Sequence, residues 1–238
     1  IGILGSRLVS GYVGEYLGWR NMYFIASGIM LVYAIVLVFQ LPSLSSDFKG
    51  SYSKLMQSLW TYFKSESSVR LAAVRGGLGF AGFSAFWTTL VFLMEDNFNY
   101  GSGITGLFGI LGIAGALAAT WAGKLSDKMN KNRLITIATL VMILAWGVFE
   151  FSGESIVGLV IGVVFIDMGL QSLHITNQNI IFSKNPEARN RINTIYMVGY
   201  FIGGALGTTT GAYAWQWFQW EGVASLGLIY TILILLVH

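Results

Sequence analysis

Cysteine is absent from the 238 residues, proline occurs twice, and histidine occurs only as His174 and His238. Without cysteine there is no disulfide framework and no thiolate metal site. There is also no H-E-x-x-H pattern of a zinc hydrolase and no G-x-x-x-x-G-K-[ST] loop to hold a nucleotide phosphate, which argues against a membrane-embedded metalloenzyme and an ATP-driven pump. The largest shortage is charge: 14 Lys and Arg and 11 Asp and Glu make up 11% of the chain, where a soluble domain carries about 25%. That excludes an ordinary soluble protein. What is present is 55% hydrophobic residues, 30 glycines and a mean hydropathy of +0.66. These numbers also exclude a disordered or collagen-like chain and place the protein in a lipid bilayer.

A helix needs about 20 apolar residues to cross about 30 Å of hydrocarbon. Such runs are predicted at 1–16, 21–40, 71–94, 103–122, 134–150, 156–182, 193–214 and 222–237. The first opens on Ile1-Gly2-Ile3-Leu4-Gly5 with neither an initiator Met nor a basic n-region, so it reads as the remainder of a helix in a longer protein. The basic residues alternate from loop to loop. Lys49, Lys54, Lys64 and Arg70 precede the third span, Lys124, Lys128, Lys131 and Arg133 precede the fifth, and Lys184, Arg189 and Arg191 precede the seventh. The opposite connections hold Arg20 and then only acids: Glu95, Asp96, Glu150, Glu154 and Glu221. The positive-inside rule puts the linker, loops 123–133 and 183–192 and, by parity, His238 in the cytoplasm. The net charge of +3 is therefore read as topology rather than as a nucleic-acid surface.

Residues 42–70 form the one long polar segment, opening at Pro42 with Ser43, Ser45, Ser46, Ser51 and Ser53. Within it, 53–64 sets Leu55, Leu59 and Phe63 on one face with Trp60 and Tyr62 nearby, the pattern of an interfacial helix. Two spans precede this linker and six follow, as if one of two equal halves were cut. A shift of 201 residues places Gly2 on Gly203, Tyr12 on Tyr213, Trp19 on Trp220 and Ala26 on Gly227, so the first two spans resemble the last two. Repeated halves are characteristic of secondary transporters. In the fourth span Gly103, Gly106, Gly109, Gly112 and Gly115 recur every third residue, a surface where a neighbouring backbone can approach.

Loop 123–133 reads Gly123-Lys-Leu-Ser-Asp127-Lys128-Met-Asn130-Lys131-Asn-Arg133. It resembles the G-x-x-x-D-[RK]-x-G-[RK]-x-[RK] loop of the major facilitator superfamily, with Asn130 at the second glycine, where asparagine also tolerates a left-handed turn. In that motif glycine permits close helix approach, Asp127 would face a helix N-terminus, and Lys128, Lys131 and Arg133 would hold the loop at the lipid surface. Gly5-Ser-Arg7-Leu-Val-Ser-Gly11-Tyr-Val-Gly14, followed by Gly18-Trp19-Arg20, is similar to the fifth helix of the drug:proton antiporter branch of that superfamily, without its usual proline. Asn185-Pro186-Glu187-Ala188-Arg189-Asn190-Arg191 resembles the loop before its eleventh helix. The resemblance implies an all-α polytopic bundle with about eight of twelve helices present. On this reading 1–41 ends an N-terminal half, 42–70 is the linker and 71–238 is the C-terminal half.

Polar groups inside a bilayer are costly and are functional candidates. Asp167, Gln171, His174 and Gln178 fall at i, i+4, i+7 and i+11, one stripe on one helix. Asp167 and His174 are candidates for proton coupling, and Gln171 and Gln178 for substrate hydrogen bonding; the alternative is a buried polar network that fixes packing. Arg7 must find an acid or a helix C-terminus, and is expected to meet either a carboxylate on one of the missing first four helices or a structural clamp. Arg75 is expected to snorkel to the nearer surface. Phe83, Phe86, Trp87 and Thr88 are candidates for a cavity wall, or for packing. Trp215, Trp217, Phe218 and Trp220 are expected in an aromatic belt. The function this implies is a secondary transporter driven by protons, without a cofactor or metal, and monomeric at full length in a bacterial plasma membrane. Export of a small organic solute or drug leads over uptake, and a structural membrane subunit is the alternative from another class.

Overall fold

The computed structural model describes residues 2–42, 51–126, 128–184 and 188–237. Asp127, Asn185, Pro186, Glu187, His238 and the segment 43–50 with its serines and Lys49 lie outside the described residues. Helices α1 (Gly2–Leu17) and α2 (Trp19–Gln40) are followed by α3 (Tyr52–Ser65) and α4 (Ser67–Phe98). Next come α5 (Ser102–Leu107), a 3₁₀ turn (Phe108–Leu111) and α6 (Gly112–Ser126), then α7 (Lys131–Glu150), α8 (Ile156–Lys184) and α9 (Arg189–Leu236).

Among the described residues six helices are long and apolar enough to cross a membrane, counting Ser102–Ser126 as one. The 48 residues of α9 are two of the predicted spans joined at a kink, Gln219, where φ is 51° and ψ −146°. The 16 residues of α1 correspond to the remaining predicted span. The protein is thus an all-α membrane protein. The kink also extends the internal repeat to the backbone. The shift of 201 that pairs Trp19 with Trp220 pairs Gly18 with Gln219, and both turn residues have positive φ, 83° at Gly18.

Helices α4, α7, α8 and α9 share the larger apolar core. Phe86, Leu90 and Leu93 of α4 meet Met142, Trp146 and Phe149 of α7, with Leu159, Val163 and Ile166 of α8, all at most 1% exposed. Trp220 belongs to this core rather than to an exposed belt: it is 5% exposed and its indole N–H donates to the Phe149 carbonyl at 2.7 Å. A buried indole needs such an acceptor. Trp217 and Phe218 do lie on the surface.

Small residues set how closely the helices approach. Gly203 and Gly207 of α9 lie so near Gly77 and Ala81 of α4 that a methyl group at either would run into backbone. The glycine run of the fourth span is divided between two neighbours. Gly103 and Gly106 face α1 around Gly11, and Gly115 faces Asp167 and Gln171 of α8. Its three-residue period coincides with the 3₁₀ turn at Phe108–Leu111, a geometry in which residues three apart eclipse.

The predicted linker helix is helical as α3, with Ser51 accepting from the Lys54 N–H as its N-cap. The polar linker is shorter than predicted, because α4 already begins at Ser67. Asn130 is not left-handed: at φ −61° it caps α7, its side chain accepting from the Asn132 N–H at 2.8 Å.

Candidate functional site

The middle turns of α8 carry the polar stripe, and α1, α4 and α9 surround it. Asp167 is 5% exposed, and among the described residues its Oδ2 has no hydrogen-bond partner. It packs against Gly115, whose missing side chain makes room for the Cβ of Asp167 and the Cγ of Gln171. The charge within electrostatic reach of Asp167 is Arg7 of α1. Arg7 in turn lies over Trp87, its guanidinium carbon 3.3 Å from the ring centroid and 5.6 Å from that of Phe83. A planar, weakly hydrated guanidinium suits an aromatic face better than an ammonium does.

Arg7 therefore has both an acid and an aromatic clamp, and both come from the 71–238 segment. Of the four aromatic-wall candidates, Phe83 and Trp87 stand together at Arg7. Phe86 is turned into the core, fully buried and stacked on Phe149 at 4.5 Å. Thr88 donates to the Thr208 hydroxyl at 3.3 Å.

Below Asp167 the stripe continues through two tyrosines. Tyr200 lies within electrostatic reach of Asp167 and stacks on Phe80 at 4.2 Å. The His174 ring is 4.9 Å from Tyr200 and 5.4 Å from Tyr196, and its Nδ1 is hydrogen-bonded to the Tyr196 hydroxyl at 2.8 Å. Arg75 lies within electrostatic reach of the Tyr196 hydroxyl, and Asn177 is fully buried on α8, its side-chain amide making no hydrogen bond among the described residues. Arg75 does not snorkel: it is 5% exposed, on the face of α4 that looks toward α8 and α9. The result is a file of polar groups from Arg7 through Asp167, Tyr200, His174 and Tyr196 to Asn177 and Arg75. Gln171 and Gln178 flank it, half-buried.

Sequence reasoning passed over Tyr196 and Tyr200, and set Asn177 aside as lying off the stripe. The available signal was a pair of tyrosines four residues apart inside an apolar run. It also passed over Glu15, which accepts from the Gly103 N–H at 2.7 Å, while Ser102 Oγ donates to the Gly11 carbonyl at 3.1 Å. These bonds tie α1 to α5 one helical turn beyond Gly11.

In loop 123–133, Lys131 is engaged with α8, its Nζ donating to the Asn179 carbonyl at 3.1 Å and to Ser183 Oγ at 3.2 Å. Asn179 donates to Ser126 Oγ at 2.9 Å. Gly123 lies beside Ile175, and Lys128 and Arg133 are exposed. Asp127 is outside the described residues. Among the described residues no group of His, Asp and Glu is placed to hold a metal ion.

Comparison with known proteins gives a consistent picture. Residues 1–208 match the Major Facilitator Superfamily. The chain is 40% identical over its whole length to the "Uncharacterized transporter YgaY" of Escherichia coli O157:H7, of which it covers 60%. It is 25% identical to the "Probable transporter SCO4007" of Streptomyces coelicolor, over 98% of the chain and 54% of that protein. A third relative, an "Uncharacterized transporter" of Buchnera aphidicola from Schizaphis graminum, is 24% identical over 99% of the chain and 57% of its own length. The chain thus spans a little over half the length of these relatives.

Proposed function

The chain belongs to the Major Facilitator Superfamily, and on that premise we propose that the protein is a secondary transporter, not an enzyme, that exports a small amphipathic organic solute in exchange for protons. Transport proceeds by alternating access, with 1–41 and 71–238 belonging to two halves joined by the linker 42–70. The protein acts as a monomer in a bacterial plasma membrane, its linker and loops 123–133 and 183–192 cytoplasmic. The alternation of basic and acidic loops supports that orientation.

The observation that carries the reading is Asp167. A buried carboxylate with an unpartnered oxygen is expensive in low dielectric. Among the described residues the opposing charge is Arg7, on α1, which we assign to the other half. A proton on Asp167 removes its attraction for Arg7, and a rearrangement that withdraws Arg7 favours taking that proton. Protonation and the relation of the halves are thereby linked. The aromatic surfaces of Phe80, Phe83, Trp87 and Phe201 beside this pair suit an amphipathic solute.

The test is Asp167→Asn in the full-length protein, reconstituted in vesicles with an imposed pH gradient. Gradient-driven flux should fall by roughly a hundredfold, the order lost when a proton-transferring group is removed, while the folded protein is retained. Normal proton-driven flux in this variant would contradict the proposal.

A further inference from the structure

We propose a second site, remote from Asp167: a groove beneath the linker helix α3 that holds one acyl chain of an anionic phospholipid. The inference rests on α3 lying at the membrane surface and not on the transport assignment. The groove has a volume of about 640 Å³ and runs between α3, α4 and α9, within the roughly 300–1,000 Å³ of small-ligand sites. Its walls are apolar: Met56, Leu59 and Phe63 roof it, Val74 and Leu78 form one side, and Val198, Ile202 and Leu206 line the other at four-residue spacing. It lies on the side of the α4–α9 contact away from Phe80 and Tyr200.

Four side chains with polar atoms line the groove, Trp60 at its rim and three others that are already engaged. The Tyr230 hydroxyl is bonded to Thr210 Oγ1 at 2.9 Å, Thr194 donates to the Asn190 carbonyl at 2.9 Å, and the Arg70 guanidinium donates to the Phe63 and Lys64 carbonyls. Away from the Arg70 and Trp60 rim, a polar solute entering the groove would lose its hydration and find few partners, which is unfavourable. A hydrocarbon chain loses nothing.

A bilayer is as apolar as the groove, so burial alone gives an acyl chain little reason to stay. Retention must come from the head group, and the rim is cationic. Arg70 lines the groove, Lys64 lies 5.0 Å over the exposed Trp60 ring, and Lys54 is nearly three turns earlier on the same helix. Trp60 stacked on Phe63 marks the level of the interface. A phosphate at that level meets the cations while one chain follows Val198, Ile202 and Leu206 inward. Charge complementarity therefore selects an anionic phospholipid over a zwitterionic one.

The experiment uses the full-length protein reconstituted in vesicles of phosphatidylcholine containing a minority of phosphatidylglycerol. Chain-labelled phosphatidylglycerol or phosphatidylcholine reports the motionally restricted lipid. Restricted phosphatidylglycerol should exceed restricted phosphatidylcholine. Each juxtamembrane cation contributes roughly fivefold to this preference, so Lys54→Gln with Lys64→Gln should reduce it on the order of twentyfold. Val198→Trp and, independently, Val74→Trp fill the groove from half-exposed positions and should release the restricted lipid of either kind. Equal retention of the two lipids, or retention unchanged in both tryptophan variants, would overturn the proposal. Either result leaves the transport assignment untouched, since no flux is measured.

Discussion

Arg7 shows how a single residue acquires meaning only from its surroundings. In the sequence it is a cation in an apolar run, which must find an acid or a clamp. In the structure it finds both, Asp167 for its charge and Trp87 for its plane. Gln219 is the reverse case, unremarkable in sequence and strained in structure. Its φ of 51° with ψ −146° lies in a region that only glycine enters without cost, and its repeat partner is indeed Gly18. Side chains held there cost roughly 1–3 kcal/mol, against about 0.5–1 kcal/mol of extra unfolded-state entropy for glycine. Gln219→Gly should therefore stabilise the protein by about 1 kcal/mol, seen as a rise in Tm in detergent. A fall in Tm would show that the Gln219 side chain contributes more than its backbone costs.

At the scale of helices, composition and loop charge were enough to find every segment, because hydrophobic length and cation placement are properties of the chain itself. Orientation about each helix axis was not available in the same way. Phe83, Phe86 and Trp87 lie within one turn of α4, yet Phe86 enters the core while the other two meet Arg7. Which of them faces inward depends on where α7 and α9 sit. Arg75 was misread for the same reason: near a helix end it resembles a snorkelling cation, but its face of α4 is covered by α8 and α9. Trp220 belongs to the core because the turn at Gln219 directs it toward Phe149. The glycines were legible as a packing surface, though not their partners. Gly203→Ala sets a methyl group against the Gly77 carbonyl, and overpacking of this kind costs about 1–3 kcal/mol. Tm should drop accordingly, while Gly147→Ala, where a methyl meets nothing within 4 Å, should leave it unchanged or slightly raised.

For the whole molecule, the decisive contacts are those between α1 and the segment that follows the linker. They form a seam: Gly11 against Gly103 and Gly106, Glu15 on the Gly103 N–H, Ser102 on the Gly11 carbonyl, and Arg7 on Trp87 and Asp167. In an alternating-access cycle such a seam opens and closes once per turnover. The seam can be locked chemically by a cysteine pair, since these 238 residues contribute no competing cysteine. A Cβ at Gly14 would lie 3.5 Å from Ser102 Oγ, close enough for a disulfide between cysteines placed at the two positions. Flux through full-length Gly14→Cys/Ser102→Cys protein in vesicles, before and after oxidation, is the most direct test. Oxidation should stop transport and reductant should restore it; undiminished flux through the fully cross-linked protein would contradict the account.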